Sequence, residues 1–146
     1  DGGFLALQFR LKDFPATYPQ EMMPFVPMGD TSPPELGYFG TLFPNLHLGV
    51  VGGAIHLIVS LPDGPERTRT VRAQFFEAET ARNPELLEAR GFLRLGLEAA
   101  GAEDQRITEA VQTARRSPAA SPGFYSPFWD LMHHAFSQQV LSALEG

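Results

Sequence analysis

Residues 46–61, LHLGVVGGAIHLIVSL, alternate in type around Gly52-Gly53 and leave this part of the chain little choice of fold. Two glycines between aliphatic, β-branched runs mark a tight antiparallel hairpin, because both turn positions can take positive φ without a steric cost. A two-residue turn also fixes the register. Val51 falls opposite Ala54, Gly49 opposite His56 and His47 opposite Ile58. Side chains alternate across a strand, so Leu46, Leu48, Val50, Ile55, Leu57 and Val59 share one face, which is expected to be the core face. His47, Gly49, Val51, Ala54, His56 and Ile58 share the other, and its mixed character predicts that it is covered too.

The flanking sequence extends this hairpin into a sheet. Phe4–Arg10 and Gly37–Phe43 read as strands, and Thr68–Ala78 as a further β-rich run after the Pro62-Asp63-Gly64-Pro65 turn. Between the first two strands, Asp13–Glu35 carries Pro15, Pro19, Pro24, Pro27, Pro33 and Pro34, which exclude a helix or a central strand. Phe14, Tyr18, Met22, Met23 and Phe25 make this segment too apolar for a solvated linker. It is expected to be a loop draped over the sheet, with a substrate lid as the alternative, and the most mobile internal part of the chain.

Helical signals come last. Asn83-Pro84 offers a capping residue followed by proline at the first helical position. The helix is expected to reach about Ala100, weakened by Gly91 and Gly96, and to break near Gly101. A resumed helix then places Ile107, Ala110, Val111 and Ala114 on one side, with Gln105, Arg106, Glu109, Gln112 and Arg116 on the other. Pro127–Leu144 reads as a final helix with Phe128, Leu131, Ala135 and Val140 directed inward. Strands first and helices afterwards predict an α+β fold, an antiparallel sheet with helices on one face.

The chain's 146 residues suit one domain spanning 1–146. A net charge of −6 disfavours nucleic acid as a partner. No cysteine is present, so thiolate metal sites and iron–sulfur clusters within the chain are excluded. No apolar run approaches the ~20 residues of a membrane span, and a cytoplasmic protein is the expectation. The chain opens on Asp1 rather than Met, which a fragment would explain.

Asp104 is the residue that needs a reason. It sits at the edge of the Ile107/Val111 stripe, and a carboxylate turned toward a core is costly unless an Arg, a Lys or a metal meets it. Glu103-Asp104, Val111-Gln112, Ser117, Gly123-Phe124-Tyr125-Ser126, Asp130 and Phe136, taken in order, resemble the end of a Rieske non-haem iron oxygenase. The resemblance is to the C-terminal part of the catalytic domain in the large (alpha) subunit of aromatic-ring-hydroxylating oxygenases. Leu42-Phe43-Pro44-Asn45 and the Pro62–Thr70 turn are similar to the same family, so the likeness covers about residues 38 to 140.

What the resemblance implies is specific. The fold would be a helix-grip (START-like, Bet v 1-like) domain, a curved antiparallel sheet gripping C-terminal helices around an apolar cavity. Asp104 would be the carboxylate of a mononuclear Fe(II) site, catalytic and metal-ligating, completed by two imidazoles that leave positions open for O₂ and substrate. Partners would be a small organic substrate, O₂, and a reductase or ferredoxin feeding electrons through a Rieske [2Fe–2S] cluster outside this chain. A homotrimer is also implied. The family's histidine pair lies upstream of the segment present here, and only His47 and His56, nine residues apart on strands, precede Asp104. The chain is therefore expected to start after those ligands, to bind no cofactor tightly and to be inactive alone.

Asn45, His47 and His56 are the candidate substrate-pocket residues. His47 and His56 are diagonal neighbours across the hairpin, ~7–8 Å apart, and would orient polar groups if their face lines the cavity. Asp130 and His134, four residues apart on the last helix, have metal-ligand spacing but are read as structural. The rival reading is a non-catalytic START-like domain that binds a hydrophobic ligand, with Asp104 a helix-start residue.

Overall fold

A computed structural model describes residues 3–10, 36–51, 53–120 and 123–146. Among the described residues, five strands form one antiparallel sheet: β1 (Phe4–Arg10), β2 (Leu36–Leu42), β3 (Leu46–Val51), β4 (Ala54–Pro62) and β5 (Thr68–Phe76). Each strand lies beside its predecessor in the chain. The expected hairpin register is present, with Val51 opposite Ala54, Gly49 opposite His56 and His47 opposite Ile58. The proline-rich segment Asp13–Glu35, and with it the expectation of a mobile loop or lid, lies outside the described residues.

The helices are α1 (Ala78–Arg82), α2 (Leu87–Arg115) and α3 (Leu131–Glu145). A 3₁₀ turn, Pro84–Leu86, leads into α2, and the Asn83 side chain caps it by accepting from the Glu85 amide at 2.9 Å. Short α1 replaces the expected end of the last strand. Glu77 starts it, its Oε2 accepting from the amides of Glu79 (2.8 Å) and Thr80 (3.1 Å). Arg90 then ties α1 to α2 by donating to the carbonyls of Thr80 and Asn83.

Ala54, Ala89 and Leu93 form the buried core cluster, with Phe76 and Leu86 packed against it. Hence α2 packs on the face that carries Ala54 and His56. The expectation that the Leu46/Leu48/Val50 face is the core needs correcting. Val50 on it is buried, but Leu48, Ile55 and Leu57 are only half-buried, and Phe4, Leu42, Val71 and Phe75 are exposed. Alternation says which residues share a face. It does not say which face a distant helix will cover, and the small side chains of Ala54 and Ala89 let α2 approach the opposite one.

No break occurs at Gly101, for α2 continues through it over 29 residues. Gly101 is buried, and a β-carbon there would run into the Arg72 guanidinium reaching up from β5. The glycine serves close approach and not helix termination. Past it, residues 102–115 are all exposed, while Arg116 pairs with Glu66 of the β4–β5 turn at 2.8 Å.

The last helix also differs from expectation. Phe128 (74 %) and Leu131 (69 %) are exposed, whereas Met132, Ala135, Phe136 and Gln139 are half-buried. The Phe136 ring lies 5.8 Å from that of Phe43. Residues before Leu131 form a turn instead of a first helical turn, because Asp130 Oδ2 accepts from the Ser126 amide and Ser126 Oγ from the amides of Phe128 and Trp129. No helix among the described residues is long and apolar enough to cross a membrane.

Candidate functional site

The sheet face under α2 carries the polar residues that the hairpin pattern singles out. Thr41, His47 and His56 come from β2, β3 and β4, with Thr41 directly opposite His47. The Thr41 hydroxyl donates to the Leu46 carbonyl at 3.2 Å and lies 3.1 Å from His47 Nδ1. Which of the two groups donates in this contact follows the imidazole tautomer.

His56 is held differently. It is only 8 % exposed, and burial alone pushes its pKa below the ordinary 6.5. Its Nδ1 has no hydrogen-bond partner among the described residues. Gln74, directly opposite on β5, has a buried Nε2 in the same condition. Asn45 sits in the turn between β2 and β3, half-buried, its carbonyl accepting from the Ser60 amide at 3.0 Å. Of the three expected pocket residues, His47 and His56 share a face as predicted, and Asn45 lies at its end.

Asp104 stands apart from these groups. It is exposed on α2, and its backbone carbonyl accepts from the Thr108 hydroxyl at 2.8 Å. The expectation that it faces the interior is not met in this structure. The helical phase is right, since Ile107 (58 % exposed) and Val111 (47 %) share its side, but none of the described elements covers that side. Among the described residues no three His, Asp or Glu side chains converge to hold a metal ion. One carboxylate does not fit a three-ligand iron face on its own.

The side chains of Asp130 and His134, paired by spacing in the sequence, do not meet. Asp130 caps the turn through Oδ2, and its Oδ1 lies 3.2 Å from His133 Nδ1, not His134. His134 meets the Tyr125 ring edge-on at 5.1 Å, and Tyr125 bonds Ser137 at 2.7 Å. Two residues escaped the sequence reading: Gln74, and Phe39, whose ring lies over Gly49 next to His56. Continuing the hairpin register one strand further would have found Gln74, but only with the length of the β4–β5 turn in hand.

The family described as ring hydroxylating alpha subunit (catalytic domain) matches residues 8–146. The chain belongs to this family. Neither a curated protein nor a solved structure gives a match. For a ring-hydroxylating alpha-subunit catalytic domain the curved five-stranded sheet with α2 across one face is the helix-grip arrangement that the resemblance implied. The match also favours an oxygenase over the non-catalytic rival for the protein to which this domain belongs.

Proposed function

We propose that this ring-hydroxylating alpha-subunit domain serves a mononuclear non-haem iron oxygenase that uses O₂ to oxygenate an aromatic or other small organic substrate. Asp104 is the carboxylate ligand in this reading, and the two imidazole ligands come from elsewhere than these 146 residues. Asn45, His47 and His56 line the substrate side. Electrons arrive from a reductase or ferredoxin through a Rieske [2Fe–2S] cluster, the assembly is a homotrimer, and the compartment is the cytoplasm.

One observation carries the reading. α2 packs on the sheet face that bears His56, at Ala54 and Phe76, and Asp104 follows one turn after Gly101, the last buried residue of that helix. The Asp104/Ile107/Val111 side is left uncovered by the described residues, which suits a ligand whose co-ligands approach from that side. When bound, iron would supply O₂ activation. This chain's residues would bind the substrate and orient it through His47 and His56.

The test is reconstitution of the domain with a polypeptide that supplies the two histidines, Fe(II), electron donors and O₂. Asp104→Ala should abolish both iron retention and oxygenated product, while Glu109→Ala, on the opposite side of α2, should leave both intact. Full product formation by Asp104→Ala would overturn the assignment.

A further inference from the structure

The strongest unexplained feature is a pair of buried polar atoms that satisfy nothing in the fold. His56 Nδ1 and Gln74 Nε2 have no partner among the described residues, although the groups sit directly opposite on β4 and β5. Side chains so placed have β-carbons roughly 4.5–5.5 Å apart, so the two groups are immediate neighbours on one sheet face. A buried donor without an acceptor is costly, and native proteins keep few of them without a reason.

The surroundings say what chemistry would satisfy them. On the other side of His56 the opposing residue is Gly49, which has no side chain. The Phe39 ring occupies that space, its Cε1 3.1 Å from where a β-carbon of Gly49 would stand, with His56 Cβ 3.7 Å from the same point. Phe39 stacks on Phe9 at 4.8 Å and 19°, yet keeps 41 % of its surface exposed. Across this face, then, an aromatic shelf borders a two-point polar end. The nearest cation on the same face of β5 is Arg72, and its guanidinium is turned onto α2 at Gly101. A ligand carboxylate would have to be buried here without a matching charge.

We propose that His56 and Gln74 together receive a single uncharged hydroxyl on an aromatic ligand whose ring rests against Phe39. The inference rests on the substrate-side reading of this face and deepens it by naming Gln74 and the ligand's polar group. A hydroxyl both donates and accepts, so it satisfies the Gln74 amide and either tautomer of the imidazole. A methyl group of the same size satisfies neither.

The experiment compares phenol, toluene and benzoate binding to the protein, followed by NMR titration, in wild type, His56→Leu and Gln74→Leu. Phenol should bind about tenfold tighter than toluene in wild type, with benzoate weakest. Each variant should lose the phenol preference and keep its toluene affinity. Because each variant removes an unpaired buried atom, its ligand-free thermal midpoint should hold or rise, by about 2–4 °C. Equal binding of phenol and toluene by wild type would overturn the inference and leave the substrate-side reading standing. So would tighter binding of benzoate than of phenol, or a phenol preference that survives in both variants. A fall of several degrees in both midpoints would mean that the pair is structural, and would overturn it too. Binding of none of the three compounds would overturn both readings together.

Discussion

At the scale of single residues, His56 sets a pH dependence whose sign can be worked out. Burial holds its folded-state pKa below the ordinary 6.5, so below that pH the unfolded chain takes up a proton that the folded protein refuses. Stability contributed by neutral His56 is complete above about pH 6.5 and declines as pH falls toward the lowered folded value. Thermal midpoints measured from about pH 7 to about pH 5 should therefore drop more steeply in wild type than in His56→Leu. His47, the other histidine on that face, is present in both proteins, so the difference reports His56. Parallel slopes would contradict the account. Both histidines were legible in the sequence because a two-residue turn fixes which residues face which way. Gln74 was not, because its register depends on the turn closed by the Asp63 amide on the Arg67 carbonyl, at 2.9 Å, with Gly64 at φ +82°.

At the scale of elements, α2 shows what periodicity can and cannot reveal. Its phase was readable, and Asp104, Ile107 and Val111 do share a side. What lies against that side was not, since packing partners are set by non-local contacts. The three glycines of α2 separate these effects. Nothing approaches within 4 Å of a β-carbon at Gly96, so Gly96→Ala should raise stability by about 0.5–1 kcal/mol through helix propensity alone. At Gly101 the same change displaces Arg72, and the gain should be reduced or reversed. Urea denaturation of the two variants checks this, and equal gains would mean that Arg72 does not rest on the helix. Leu93, buried to 6 % at the centre of the α2–sheet contact, should cost about 2–5 kcal/mol on truncation to Ala. Leu95, 58 % exposed on the same helix, should cost about 0.5 kcal/mol or less.

At the scale of the whole molecule, the sheet-then-helix order was readable from composition and spacing, and the family from an ordered set of short motifs. The covered face was not, because a strand pattern with apolar residues on both faces leaves the choice to the helix. That choice packs α2 on the face that bears His56 and leaves Asp104 beyond the contact. We propose that Asp104 supplies one ligand of an iron site that His47 and His56 do not complete. Anaerobic titration of Fe(II) into this chain, followed by calorimetry, tests it most directly. The expected heats are weak, non-stoichiometric and the same in Asp104→Ala, since one carboxylate leaves Fe(II) with most of its waters. Tight one-to-one binding that disappears in Asp104→Ala would show that the chain's own histidines complete the site, and would contradict the account.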